Sequence, residues 1–376
     1  MNSNFKLLIT TDTSNEVWNY TVKLCEALMF YIKADILMVN FGANLNKFQE
    51  EEAKRLNIQV VHTAYFPKSS DQKELKNAEA YLIQVINDFN PNIVHLNNYI
   101  TISDRVECPV VVTGHGDLIS LLKWTKSNIT ENIDQYRQIV KKALNSADAA
   151  VLTSRFAVEC LIKEYDFKNK FRVIYNGINI EPSGILPEKP CILAEGNLND
   201  RSKNISLLAK IADKIPDSIK ILVIGSNNYN KVSKRIEWVN NLSLEEKIEI
   251  YRKSSIFLAL SSYEPFGFSS MISAYSNCAI LANDIPVHRE LWGDCACIYE
   301  KNNLNSFIRN LNNLIENEKL LAFTAKNCQA KALSSFSMKR MGLEYINLYK
   351  RILQNNISSN RNLKIENKIE INQKTV

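Results

Sequence analysis

Short apolar runs of strand length alternate with stretches of helical periodicity along almost the whole chain, and the alternation is interrupted once. The first series of strand-like runs occupies residues 5–10, 35–41, 92–96, 110–113, 149–153 and 172–175, with helical patterns between them, for example at 17–29 and 136–145. The stretch NGINIEPSGILPEKP (176–190) then breaks the periodicity with proline and glycine, and a second series follows at 192–195, 219–224, 256–260, 279–282 and 297–299. Runs this short and this continuously apolar must be covered on both faces, which a parallel sheet flanked by helices provides. The expectation is an α/β chain of two Rossmann-like parallel-sheet domains facing a cleft. The first spans residues 1–178, a linker 179–190, and the second 191–334, followed by a helical pattern at 335–354 and a polar tail at 355–376 that lacks the apolar residues to fold.

A chain of 376 residues with 45% hydrophobic content is long enough for two ordinary cores. Its longest apolar runs, such as KILVIG and SIFLALS, fall well short of the ~20 residues that span a bilayer. The amino terminus MNSNFKLLITT lacks the small-residue cleavage site of a signal peptide, so a cytoplasmic protein is expected. Eight cysteines are scattered; Cys25, Cys160, Cys191, Cys278 and Cys297 fall in apolar surroundings that suit reduced thiols, and the close pair Cys295 and Cys297 has no second pair or histidine at zinc spacing. Neither a metal nor a cofactor is expected. The net charge of +6 favours anionic substrates, or contact at the inner face of an acidic membrane, over nucleic acid.

The segment richest in chemistry is YEPFG (263–267), between the run SSIFLALSS and the stretch FSSMISAYSNCAILANDIPVHRELWGD. An acid, a proline and a glycine thus stand where a buried strand turns into a helix. Ligands of doubly wound sheets bind at the carboxyl ends of strands, and anions favour helix N-termini. Glu264 is placed to hydrogen-bond a polar ligand, and the N–H groups after Pro265 to meet a phosphate that Gly267 allows close. Taken alone, the tetrapeptide reads more readily as an ordinary strand-to-helix turn with a solvated Glu.

The surroundings narrow the choice. This stretch resembles the donor-sugar site of the retaining, GT-B-fold glycosyltransferases of family 4, also called glycosyl transferases group 1. The likeness continues through NDIPVHRELWGDCACIY (283–299), LLITTDTSNEVWNYTVKLCEAL near the amino terminus, VVVTGHGD (110–117), RVIYNGI (172–178), ILAEGNLNDRSKN (192–204) and SFSMKRMGLEYINLYKRIL toward the carboxyl end. It implies a GT-B fold whose last helix crosses back onto the first domain.

Breaking the bond between an anomeric carbon and a diphosphate builds negative charge on the leaving phosphate, which preorganised positive groups stabilise. The resemblance gives that task to Lys203; the alternative is a solvated lysine in the first turn of a helix beginning there, against the dipole. Donor binding falls on Gly196, Asn197, Arg201, Lys203, Glu264, Pro265, Phe266, Gly267, Phe268 and the Ile272 position. Three of these positions mark departures. The family's arginine after the glycine is here Asn197, with Arg201 as the nearby candidate to lend charge. The family's second Glu, which holds the donor ribose, is Ile272, so ribose recognition must come from elsewhere or be weak. On the acceptor side, Asn15 and Glu16 replace a glycine pair.

His115, between Gly114 and Gly116, corresponds to the family's histidine near the donor sugar and reacting centre, or else is a structural histidine capping a turn. Asp117 beside it could orient the imidazole or bind acceptor. His62, His95 and His288 read as structural or surface residues, Arg289 and Glu290 as a mutual pair or as ligand contacts, and residues 239–242 as flanking the base. With no Asp-x-Asp sequence, metal-independent transfer is implied. The resemblance therefore implies a hexosyltransferase-like enzyme, with His115, Lys203 and Glu264 as catalytic residues. It would move a sugar with retention from a nucleoside diphosphate sugar to a saccharide or lipid-linked acceptor in surface glycan biosynthesis. The departures keep a second reading open, a non-catalytic sugar-nucleotide-binding or scaffold protein of the same fold.

Overall fold

The computed structural model describes residues 4–63, 72–128, 132–167, 171–184, 186–187, 190–226 and 233–359. Along the chain run β1 (Phe5–Asp12), α1 (Asn15–Tyr31), β2 (Ala34–Phe41), α2 (Lys47–Arg55), β3 (Gln59–Thr63), α3 (Gln72–Phe89), β4 (Ile93–Leu96), β5 (Val110–Gly114), α4 (Leu118–Trp124), α5 (Ile133–Ser146), β6 (Ala149–Leu152), α6 (Arg155–Tyr165) and β7 (Phe171–Val173). There follow β8 (Cys191–Glu195), α7 (Ser206–Ala209), β9 (Lys220–Ile224), β10 (Ile236–Val239), α8 (Leu244–Arg252), β11 (Ile256–Ala259), α9 (Phe268–Tyr275), β12 (Ala279–Asn283), α10 (Pro286–Trp292), β13 (Cys297–Tyr299), α11 (Leu304–Glu316), α12 (Glu318–Ser335) and α13 (Met338–Ser359). The chain divides into two compact units, residues 1–120, 129–177 and 338–376, and residues 121–128 and 178–337.

The first unit holds a sheet of order β3-β2-β1-β4-β5-β6-β7. Every pairing is parallel, with β1 and β2 in register from Phe5↔Ala34 to Asp12↔Phe41. Alternate residues of each strand face opposite sides, so both must be covered. Leu7, Ile9, Met38, Ile93, Val111 and Val151 join a core with α1 and α13. Leu8, Val39, Val94, Val112 and Leu152 join another with α3, α5 and α6. Helices α1 and α13 approach closely at Gly342, where an added Cβ would lie 2.7 Å from the Cβ of Ala27. The helix expected at 335–354 is thus α13, which continues to Ser359 into what was read as polar tail, while Ser335 ends α12. Packing of Tyr345, Ile346, Tyr349 and Ile352 against the sheet stabilises it where its last turns, by composition alone, would not form.

The second unit holds a parallel sheet of order β10-β9-β8-β11-β12-β13. Ile192, Ala194, Ile221, Val223, Leu258 and Leu281 pack with Leu208, Phe307, Leu311 and Ala325 from α7, α11 and α12. The edge strands β3 (QVVHT) and β10 (IEWV) are absent from the sequence expectation, because half-exposed edges carry polar residues and lose the continuous apolar run. No described helix is long and apolar enough to cross a membrane.

Candidate functional site

In the second unit the connections from β8 and β11, adjacent strands, leave in opposite directions along the sheet. That makes their carboxyl ends a topological switch point, where doubly wound sheets bind ligands. The loop after β8 begins at Gly196, whose φ of +148° suits glycine, and an added Cβ there would lie 2.6 Å from the Cβ of Lys203. Gly225 after β9 is more constrained, since at φ +153° its Cβ would lie 2.2 Å from the Gly196 carbonyl oxygen. Only glycines let the two loops cross here and the Lys203 stem lie over the backbone.

Lys203 sits in a turn, not in the first turn of a helix, because α7 starts at Ser206 and has only 4 residues. The dipole argument therefore does not apply to it. The turn is organised by Asp200, whose Oδ1 accepts from the Ser202 N–H at 2.8 Å and hydroxyl at 2.5 Å. It is tied to the loop after β11 by Ser262 N–H donating to the Ser202 carbonyl at 2.7 Å, the Ser262 hydroxyl to the Arg201 carbonyl at 2.9 Å, and the Asn204 amide to the Leu260 carbonyl at 3.3 Å. These ties bring Lys203 Nζ to 2.8 Å from Glu264 Oε2, which also accepts from the Ser261 hydroxyl at 3.2 Å. The two side chains are 20% and 7% exposed, so the pair is largely desolvated.

Gly267, at φ +97°, caps α9 without a side-chain hydrogen bond and leaves the helix's first N–H groups without that partner. Pro265 and Phe268 are half-buried, and Phe266 is buried against Phe336 with ring centroids 5.6 Å apart. Ile272 lies on the same helix, 2% exposed and committed to the interior. Asn197 Oδ1 accepts from the Ser226 N–H at 2.8 Å and hydroxyl at 2.9 Å, so this side chain is occupied in holding the loop after β9. The Arg201 side chain is exposed and forms no ion pair among the described residues. Arg289 pairs with Asp284 through two hydrogen bonds of 2.7 and 2.8 Å, and this bond and charge hold the Asp284 carboxyl below its ordinary range. The expected Arg289–Glu290 pairing gives way to this one because Arg289 and Asp284 meet fork to fork across the start of α10.

No sequence motif marked Glu195. At the end of β8 its carboxylate accepts from Lys247 Nζ at 2.7 Å, the Tyr251 hydroxyl at 2.5 Å and the Ser269 hydroxyl at 2.8 Å. Burial pushes this carboxyl up, but Lys247, Tyr251 and Ser269 together outweigh it and leave it below its ordinary value. The residue is ionised at neutral pH.

The first unit carries the remaining residues. Asn15 and Glu16 open α1, with Glu16 exposed. His115 donates its Nε2–H to Asn97 Oδ1 at 3.0 Å and lies edge-on to the Tyr20 ring, centroids 4.4 Å apart. Burial pushes its pKa down to about 4 against a small opposing effect of Glu16, so the ring is neutral. Asp117 does not hydrogen-bond His115. Its Oδ1 accepts from the Ser120 N–H at 2.9 Å and the Tyr165 hydroxyl at 2.7 Å at the start of α4, and at 6% exposure it is a structural anchor where orientation of the imidazole was one expectation. Asn97 holds the ring instead, and is itself fixed by donating to the Thr10 carbonyl at 2.8 Å and the Thr21 hydroxyl at 3.1 Å. Behind it, His95 bonds Tyr349 at 2.6 Å and Thr113 at 2.7 Å, Thr113 meets Tyr345 at 3.1 Å, and Tyr345 bonds Tyr20. A buried polar chain thus joins α13 to the ring that packs on His115.

Two family models match the sequence, Glycosyltransferase Family 4 over residues 35–182 and Glycosyl transferases group 1 over residues 177–331. A comparison with curated proteins finds no match. Among solved structures, a glycosyltransferase from Rickettsia africae superposes with a TM-score of 0.75 at 17% identity, covering 94% of this chain and 100% of that one. Sucrose-phosphate synthase from Thermosynechococcus elongatus does so with a TM-score of 0.75 at 12% identity, over 93% and 100% of the chains. Anabaena Alr3699/HepE in complex with UDP and glucose gives 0.73 at 13% identity, over 92% and 100%. At these identities the likeness is one of fold.

Proposed function

The chain belongs to the GT-B glycosyltransferases, and from that premise we propose that it transfers a sugar, with retention, from a nucleoside diphosphate sugar to a saccharide or lipid-linked acceptor of a surface glycan. The observation that carries this reading is the Lys203–Glu264 pair at the switch point of the second sheet, at 2.8 Å and largely desolvated. In a water-poor site an oriented ammonium stabilises the charge that grows on a leaving diphosphate far better than water does. Glu264 accepts hydroxyl hydrogens of the sugar and holds Lys203 in place, and the first N–H groups of α9 face the phosphates. His115, neutral and with Nδ1 unpartnered among the described residues, keeps the role near the sugar that the resemblance assigns. The leaving phosphate itself takes the acceptor's proton in a front-side transfer; Asn15 and Glu16 stay on the acceptor side as binding or shaping residues, and Asp117 shapes that side through Ser120 and Tyr165. The reaction proceeds without a metal, in the cytoplasm or at the inner face of its membrane. Support for the donor class comes from the Anabaena protein of the same fold, which has been solved with UDP and with UDP-glucose.

The second reading, a sugar-nucleotide-binding protein without turnover, draws on Asn197 being occupied by Ser226 and on the buried Ile272. A panel of nucleoside diphosphate sugars, screened by thermal shift and then for release of nucleoside diphosphate, separates the two. Release that depends on Lys203 is the expected result. Binding without release in the presence of saccharide and lipid-linked acceptors favours the second reading, and no binding by any member refutes both.

A further inference from the structure

Glu195 closes β8 immediately before Gly196, and nothing in the proposed transfer uses it. Its side chain is 20% exposed and that of Lys247 13%. Lys247 and Tyr251 stand one turn apart on α8, and Ser269 is in the first turn of α9. A desolvated ion pair adds little net stability over apolar packing of the same volume, so its value here is the orientation it imposes. One oxygen, Oε2, is filled by the Tyr251 and Ser269 hydroxyls, whereas Oε1 accepts only from Lys247. A carboxylate oxygen accepts two hydrogen bonds, so Oε1 keeps one acceptor position that no described residue occupies.

An ionised carboxylate held rigid at the carboxyl end of a central strand, with a spare lone pair, is suited to a hydroxyl group, and acids at strand ends of doubly wound sheets bind ribose in this way. We infer that Glu195 accepts a ribose hydroxyl of the nucleoside diphosphate whose phosphates lie against Lys203. The Lys203 stem packs on Gly196, the very next residue, so phosphate and ribose recognition adjoin. Ser269 and Ile272, three apart on α9, share a helix face. The carboxylate thus stands beside the face on which Ile272 leaves no acid, supplied by the strand instead of the helix. The inference rests on the second unit being a nucleoside diphosphate site.

The test is calorimetric titration of the full-length protein with UDP, ADP and GDP, and then with the 2′,3′-dideoxy form of whichever binds tightest. The parent is expected to prefer the ribose form by about tenfold or more, the worth of one charge-assisted hydrogen bond. In Glu195→Gln that preference should disappear while the dideoxy form binds within about threefold of the parent value. If the preference survives, or if both nucleotides weaken alike, Glu195 only joins α8 to α9 and the inference falls. Should Glu195→Gln not fold, Glu195→Asp keeps the charge but withdraws it by one methylene, and full retention of the preference there is equally fatal. A parent that binds both forms alike overturns this assignment alone, whereas a parent that binds no nucleoside diphosphate overturns the nucleotide reading beneath it.

Discussion

Ile272→Glu restores an acid where family-4 enzymes carry one, and the structure predicts that it damages the fold instead of improving the site. Ile272 is 2% exposed on α9, between Met271 and Ser273, both at 0%. Removing a buried Ile side chain forfeits about 1.5–3 kcal/mol of apolar burial. The new acid, with an ordinary pKa of about 4.3, would be buried on α9 and would have to stay protonated. At neutral pH that costs up to about 3.7 kcal/mol, at about 1.36 kcal/mol per pH unit. The combined loss of about 5 kcal/mol or more rivals the stability of a whole domain and should lower the melting temperature by at least ~10 °C. Its pH dependence is diagnostic. The folded-state pKa of the introduced Glu is raised above its unfolded value, so the native variant holds a proton that the unfolded chain has released. The penalty is therefore full near neutral pH and shrinks as pH falls toward about 4.3. Urea unfolding of the parent, Ile272→Glu and Ile272→Gln at about pH 7 and about pH 5 should show the Glu penalty falling by about 1.4 kcal/mol per unit and the Gln penalty unchanged. A Glu variant melting within about 2 °C of the parent near pH 7 would mean that the carboxylate reaches water or a cation, and would refute the packing argument.

Lys203→Ala should lower donor turnover by at least about 100-fold. It should also destabilise the second unit by stranding the Glu264 carboxylate, at 7% exposed, without its ammonium; adding Glu264→Gln should recover the melting temperature but not the turnover. Gly225→Ala forces a Cβ to 2.2 Å from the Gly196 carbonyl oxygen at φ +153°, so a melting drop of several degrees together with loss of nucleotide binding is expected, and a variant that binds normally would show that the loop crossing is dispensable. Burial lowers His95 to about 3, and His115 and His288 to about 4, each from 6.5. These groups stay neutral when folded but take up protons when unfolded, so stability is lost as pH falls from about 6.5 toward 4, each contributing up to about 1.4 kcal/mol per unit. Denaturant titrations across that window should flatten in His95→Gln, and a slope unaffected by that change would contradict the assignment.

Central strands were legible because burial on both faces writes a continuous apolar run, as in KILVIG and VVVT. The edge strands β3 and β10 were not, since one flank faces solvent and the run dissolves into QVVHT and IEWV. Lys203 and Glu264 were legible through their motifs, yet their direct pairing was not, because it depends on the loop after β8 lying against the loop after β11. Asp117 shows the limit of adjacency. It stands two residues from His115, but its carboxylate turns to Tyr165, 48 residues away, while Asn97, 18 residues back, holds the ring.

By itself the sequence determined the α/β class, the two alternating series and the places where strands give way to loops, since apolar patterning depends on neighbours within a few residues. Only the tertiary structure decided which charges meet and which groups ionise. Glu195 gathers Lys247, Tyr251 and Ser269 from 52, 56 and 74 residues away. Its charge state follows from desolvation opposed by those three donors, and no pattern local to the chain encodes that balance.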